Sequence, residues 1–390
     1  MQPLRPLTSV RFIFALLVVL FHGLTGHMQG WPDPVRAVID HGSVGVSFFF
    51  ILSGFILAYS YRGRIRGADD RRAFWLARAA RVLPAYYLAF LLFLPLAIYG
   101  AASAPDVQAA FGRALVIAGL QLTLTQSWIP EAAVAWNGPA WSLSVEAVFY
   151  LLFPFLLPPL EKLSGRGLVI AALLAYAASQ GAAVLIDALG PADVARVITG
   201  ALGMSEQTLG GSALFFTYFP PLRVPEFVFG AALGLLFVRS PPMPAWAQMP
   251  AVAVGVAGVW ATFSYLDGPV PWTAISNGFL APALALILFG LARSQSQLWN
   301  HESFVRLGDA SYSLYLLHIP IMEWMKAIDA ATFNLQQGAF LNFFLIYLAV
   351  AILASLASLT FVEEPMRRLI RRKFAPELRA EQPQLVRAAG

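Results

Sequence analysis

Hydrophobic positions in this chain form long unbroken runs, punctuated by short polar stretches, with little alternation. Runs of roughly 17–25 apolar residues, the length of helix that spans about 30 Å of hydrocarbon, recur along it. They lie near 8–26, 42–61, 84–101, 140–159, 168–186, 224–238, 250–266, 275–292, 307–328 and 338–361. The pattern predicts an all-α polytopic membrane protein of about ten transmembrane helices. The first run lacks a small-residue cleavage pattern and is followed by many further spans, so it reads as a retained helix, not a signal peptide. No convincing internal repeat is present, which weakens the case for a transporter built from inverted repeats.

Composition agrees with the runs. Of 390 residues, 58% are hydrophobic and 12% charged, too little charge to cover a soluble protein of this length. The long polar stretches are a basic loop and a basic tail, which leaves no room for a separate soluble catalytic domain. The chain therefore reads as one transmembrane domain over 1–370 and a flexible basic cytoplasmic tail over 371–390. With no cysteine, disulfides, thiolate metal sites and a cysteine nucleophile are excluded.

Charge sets the expected orientation. The stretch 62–81 carries seven arginines against two aspartates and is expected to be cytoplasmic, as is the Arg-rich tail after Glu364. Loops near 27–41, 187–222, 267–274 and 329–337 have little basic excess and fall outside. The segment 112–127, "GRALVIAGLQLTLTQS", complicates this. A full crossing there would put every later loop on the wrong side, so it is expected to be re-entrant or interfacial. Both termini then lie in the cytoplasm.

Ionisable groups inside spans are costly and mark candidate sites. On the first helix, Arg11 and His22 are eleven residues apart, which puts them on one face about 16 Å apart along the axis. Arg11 is either a snorkelling anchor or a site residue, and His22 either a satisfied interfacial histidine or one. Their shared face suggests a common cavity. In the second span Gly42, Gly45 and Gly54 with Ser47 and Ser53 permit close helix contact. Glu146 lies about two turns into the fourth span with Ser142 on its face; it is structurally paired, or it orients a histidine or holds a substrate hydroxyl. Ser311, Tyr315 and His318 follow i, i+4, i+7 spacing on the ninth span, either bonding neighbouring helices or lining a site. Glu363 and Glu364, ahead of Pro365, are expected to pair with nearby arginines at the last helix's end.

These residues together resemble the membrane-bound acyltransferase-3 family, whose members O-acylate bacterial cell-surface glycans and some small molecules. The Arg11–His22 spacing with "LLVVLFH", then "GVSFFFILSGFIL", "RAARVLPAYYLAF", "WSLSVEAVFYLLFP", "GDASYSLYLLHIPI" and "FVEEP" stand in the family's order along nearly the whole chain. The chain resembles stand-alone members that lack a fused extracytoplasmic hydrolase-like domain. It departs at Ser47, where many members carry an acid. A catalytic role for that acid would fall here to Glu146 or be absent.

The resemblance implies an O-acetyltransferase of the bacterial cytoplasmic membrane. Its implied donor is cytoplasmic acetyl-CoA or another acyl-CoA, and its acceptor a sugar hydroxyl of a glycan or lipid-linked precursor. Other polysaccharide-assembly proteins are possible partners, with no metal and no nucleic acid. The charge map suits such a donor, because CoA is rich in phosphate and arginine binds phosphate bidentately. Arg11, Arg71, Arg72, Arg78 and Arg81 are the candidate donor ligands, although topology and anionic lipid explain most of that loop's charge. His22 is the candidate general base, oriented or relayed by Glu146 or His318, with Ser142, Ser311 and Tyr315 toward the substrate. An acyl-histidine intermediate stays open. A glycan-precursor flippase or transporter and a non-enzymatic assembly partner are the rival classes.

Overall fold

The structure is a computed structural model that describes residues 3–201, 216–266 and 269–374. Among these residues it is helical throughout, with nine helices long and apolar enough to cross a membrane. The chain enters through α1 (Arg5–Leu24), a short amphipathic α2 (Asp33–Asp40) and α3 (Gly45–Tyr61). There follow α4 (Ala68–Ala102), α5 (Val107–Leu122), α6 (Trp141–Lys162) and α7 (Gly165–Leu189). The second half comprises α8 (Pro220–Arg239), α9 (Ala245–Ala261), α10 (Ala281–Ala292), α11 (Glu302–Ala331), α12 (Phe340–Ser358) and α13 (Glu364–Phe374).

Every expected span falls on a helix. The ninth, 307–328, lies on the thirty-residue α11 but is not among the nine apolar ones. Its serines, tyrosines and His318 dilute the apolar run, and most of them face inward: Ser311, Ser313, Tyr315 and His318 are all buried. The proposed tail over 371–390 lies largely outside the described residues, as does much of the expected loop over 187–222.

The basic loop expected over 62–81 ends at Gly67, because α4 begins fourteen residues before Arg81's successor, at Ala68. Asp70 caps this start by accepting from the backbone N–H of Arg66 and Gly67 at 2.8 and 3.0 Å. Phe74, Ala77 and Ala80 are buried, so this basic segment is an amphipathic helix whose apolar positions recur every three residues.

The ambiguous 112–127 segment turns back inside the bundle. After a short turn, α5 runs antiparallel to α4 until the hydroxyls of Tyr86 and Tyr87 donate to the carbonyls of Gln121 and Leu122 at 2.7 and 3.0 Å. Tyr86 sits near the middle of the 35-residue α4, so the segment reaches only half its depth. Irregular backbone here is satisfied by buried side chains. Gln126 Nε2 donates to the Ala140 carbonyl at 2.9 Å, Ser127 Oγ to Trp141 at 2.6 Å, and Asn137 Nδ2 to Leu316 at 2.9 Å.

A close backbone-to-backbone contact joins α3 and α8. A Cβ on Gly54 would overlap the Phe227 carbonyl, and one on Gly230 the Ile51 carbonyl. Small residues here allow backbone-to-backbone approach. Gly230→Leu is expected to cost at least about 3 kcal/mol, because the obstructing atoms are backbone and cannot rotate away. Gly100→Ala, where nothing lies within 4 Å, is expected to be nearly neutral. Thermal unfolding of the two variants in nanodiscs compares them.

The helix ahead of α10 is broken at Asn277 and Gly278, where Gly278 has φ +89°. The break frees the Asn277 carbonyl, which accepts from Ser179 Oγ and, at 3.0 Å, from Gln180 Nε2 of α7. Elsewhere α1 packs on α11 and α11 on α12. Thus α1, α3, α4, α6, α8 and α11 contribute side chains to the polar interior, while α7, α9 and α12 present more of their surface outward.

Candidate active site

The intramembrane charges fall into two cavities. The first, partly open to solvent, spans about 870 Å³ and is lined by Arg11 from α1, Arg78 and Arg81 from α4, and Glu146 from α6. Ser142, Ser311 and Tyr315 also line it. Arg81 forms an ion pair with Glu363 at 2.5 Å. Glu363 is buried and also accepts from Ser313 Oγ at 2.6 Å. Arg78 lies over the rings of Tyr61 and Phe74, at 5.7 and 5.9 Å, and its buried Nε has no hydrogen-bond partner. Glu146 shares the lining with the hydroxyl-bearing Tyr150 and Ser53 and with the cationic Arg11 and Arg78. With Glu363 on Arg81 counted beside Glu146, three guanidinium groups meet two carboxylates, which leaves one net positive charge to receive an anion.

The second cavity, about 920 Å³, lies toward the other end of α1 and is lined by His22, Ser47, Trp141, Tyr218, Arg223 and Trp272, among others. His22 in its wall is backed by a second histidine. His318 Nε2 lies 3.3 Å from His22 Nδ1. Carbonyl oxygens only accept, so the neighbouring bonds fix the tautomers. His318 Nδ1 is 2.7 Å from the Tyr315 carbonyl and therefore carries a proton, which leaves its Nε2 an acceptor. His22 Nδ1, 2.9 Å from the Val18 carbonyl, carries a proton as well and shares it with His318. The remaining lone pair, on His22 Nε2, is the basic position of the pair. His318, fully buried, is placed to orient His22 and to accept its Nδ1–H as charge develops on the ring.

Arg11 and His22 thus face different cavities, not the single one their shared helix face suggested. Both cavities include Val46 and Tyr315 in their walls, and these two side chains, from α3 and α11, stand between them. The Tyr315 hydroxyl donates to the Pro139 carbonyl at 2.8 Å and lies 2.9 Å from Ser142 Oγ. The turn before α6 therefore holds the partition in place. Its position depends on which helices are neighbours, which no single span reveals.

Other expected site residues separate accordingly. Glu146 belongs to the arginine cavity and is not beside the imidazoles. Ser311 Oγ donates to the Gly308 carbonyl of its own helix at 2.6 Å. Arg71 and Arg72 line neither cavity; Arg71 lies over the Phe155 ring at 5.6 Å, and Arg72 is exposed. Glu364 pairs with Arg368 at 2.9 Å. One buried pair was missed: Arg223 and Glu226 of α8, 2.9 Å apart and each at most 2% exposed. The available signal was "RVPEF", an Arg and a Glu three residues apart at the head of an apolar run.

Comparison with known proteins decides what scaffold holds these cavities. A family model described as an acyltransferase domain matches residues 7–361. The chain belongs to the acyltransferase-3 family. It is 30% identical to acyltransferase MdmB of Streptomyces mycarofaciens, over 99% of this chain and 98% of that protein. It is 23% identical to the O-acetyltransferase OatA of Staphylococcus aureus over 86% of this chain, and spans 54% of OatA's length. A regulator of hypoxia-inducible factor 1 from Caenorhabditis elegans is also 23% identical, over 85% of this chain and 70% of that protein. No solved structure matches. The chain is accordingly a multi-pass membrane O-acyltransferase of the acyltransferase-3 family.

Proposed function

We propose that this acyltransferase moves an acetyl group from cytoplasmic acetyl-CoA to a sugar hydroxyl of a cell-surface or exported polysaccharide, or of its lipid-linked precursor. It would do so in a bacterial cytoplasmic membrane. The observation that carries this reading is the pair of cavities that abut at Tyr315, one rich in arginine and the other lined by His22 with His318 behind it. With the basic end of α4 in the cytoplasm, Arg11, Arg78 and Arg81 bind the donor's phosphates. The pantetheine arm then carries the thioester inward past Tyr315, toward His22 about 16 Å deeper along α1.

The acceptor hydroxyl enters the His22 cavity from the outer side. Its oxygen attacks the thioester carbon while His22 Nε2 takes the proton. Collapse of the tetrahedral adduct breaks the C–S bond, and the proton on His22 passes to the departing thiolate. The products are the sugar ester, free CoA and neutral His22. A protonated His22 is stabilised through its Nδ1–H by His318.

Tyr315 then serves as a partition between donor and outer water. Tyr315→Ala is expected to raise acceptor-independent hydrolysis of acetyl-CoA severalfold, because removal of the ring joins the two cavities. Tyr315→Phe keeps the ring and is expected to stay close to wild type in the same CoA-release assay. The function itself is tested by NMR of surface glycans from a deletion strain complemented with wild type or with His22→Ala. Acetyl signals restored by the first and not by the second support the assignment. Identical glycans in all strains contradict it.

A further inference from the structure

The buried Arg223–Glu226 pair has no part in donor binding or proton transfer, yet Arg223 lines the same cavity as His22. Its guanidinium is held from several sides. Nη2 donates to Ser47 Oγ at 3.0 Å and meets Glu226 Oε2 at 2.9 Å, and Nη1 reaches Asn277 Oδ1 at 3.4 Å. The rings of Phe50 and Trp141 lie 5.0 and 5.8 Å from it. Among the described residues its buried Nε has no hydrogen-bond partner, and beyond the ion pair neither oxygen of Glu226 has one. A buried donor left without a partner is costly unless something else satisfies it.

Charge and shape say what that partner is. Among the described residues, Arg223 is the only charged side chain lining this cavity, and Glu226 neutralises it. An anionic acceptor would have to shed its water with no free cation to replace it. The remaining walls include the aromatic rings of Trp141, Tyr218 and Trp272 with the hydroxyls of Ser43, Thr217 and Ser276. Flat apolar faces interrupted by a few polar groups match a molecule with C–H faces and oxygens at its edges. Ser47, short where an acid would compete for the guanidinium, leaves Glu226 as its sole carboxylate partner among the described residues.

We propose that the His22 cavity seats an uncharged sugar ring, with Arg223 donating to the ring's oxygens and the aromatic side chains flanking its faces. This rests on reading that cavity as the acceptor site. Glu226 acts as a specificity residue, because it sets the charge that the acceptor meets.

The test uses the full chain in nanodiscs with radiolabelled acetyl-CoA. The acceptors are p-nitrophenyl β-glucoside and p-nitrophenyl β-glucuronide, which differ in one carboxylate. Wild type is expected to favour the glucoside by at least about tenfold in kcat/KM, and Glu226→Gln to shift the ratio toward the glucuronide by a similar factor. A wild-type preference for the glucuronide, or an unchanged ratio in Glu226→Gln, overturns the proposal. Should Glu226→Gln fail to fold, Arg223→Gln/Glu226→Gln keeps the site neutral. It is expected to raise the glucoside KM with acetyl-CoA affinity unchanged, and an unchanged KM overturns the proposal. Where neither glycoside turns over, quenching of tryptophan fluorescence reads binding directly: tighter binding of the glucoside supports the proposal, and binding of neither sugar overturns it. Failure of wild type to bind acetyl-CoA overturns the donor assignment instead.

Discussion

His22→Ala is expected to lower the rate of O-acetylation by about 10²–10⁴, the range attributed to a positioned general base. Acetyl-CoA affinity should be unchanged, since the proposed scheme binds the donor's phosphates at the arginine cavity, which His22 does not line. The comparison that isolates the role is His318→Ala. His318 touches His22 at 3.3 Å and does not line either cavity, so it is a positioning residue. Its loss should leave a smaller defect and move the pH–rate profile, because the proton on His22 Nδ1 loses one of its two acceptors and keeps only the Val18 carbonyl. Stopped-assay kinetics with purified protein check both variants. A His22→Ala enzyme at full rate would remove the base from the scheme.

Arg78→Ala and Arg81→Ala are expected to raise the acetyl-CoA KM by about 10–100-fold each, the scale of one charge-assisted bidentate contact. The two should then differ in stability. Arg81 neutralises the buried Glu363 at 2.5 Å, and removal of one member of a buried pair leaves a charge unpaired, at a cost of about 3–5 kcal/mol. Among the described residues Arg78 has no ion pair with a carboxylate and rests on Tyr61 and Phe74, so its removal should spare folding. A paired Arg81→Leu/Glu363→Leu variant should regain thermal stability without regaining donor affinity. Isothermal titration with acetyl-CoA and thermal unfolding separate the two effects. Unchanged donor affinity in both single variants would place the nucleotide elsewhere.

The bundle was largely legible because membrane-spanning helices announce themselves by length and apolarity. The exceptions have physical causes. Residues 68–81 look like loop when charges alone are counted, yet Phe74, Ala77 and Ala80 give them a buried helical face. The 112–127 segment is apolar enough to resemble a span, and charge topology was needed to keep it from crossing. Within the site, Arg11, Arg78, Arg81 and Glu146 were identifiable as charges in or beside apolar runs, and the structure gathers them in one cavity. The adjacency of His22 and His318 was foreshadowed only by their similar depth. Tyr315's position between cavities depends on how α3, α6 and α11 assemble, which the individual runs do not encode. Arg223 escaped because it stands one residue outside the expected sixth span, where an arginine reads as an end marker. Only tertiary packing reveals that it points inward to Ser47 and Glu226.

In the proposed scheme, donor and acceptor approach the two abutting cavities from opposite faces of the membrane. Sided membrane vesicles test that arrangement most directly. Radiolabelled acetyl-CoA, which does not cross the bilayer, is supplied to inside-out and to right-side-out vesicles that contain the glycan acceptor. The expected result is label in the glycan of inside-out vesicles alone, absent when the protein carries His22→Ala. Equal labelling of right-side-out vesicles, or labelling that survives His22→Ala, would contradict transfer through the partition at Tyr315.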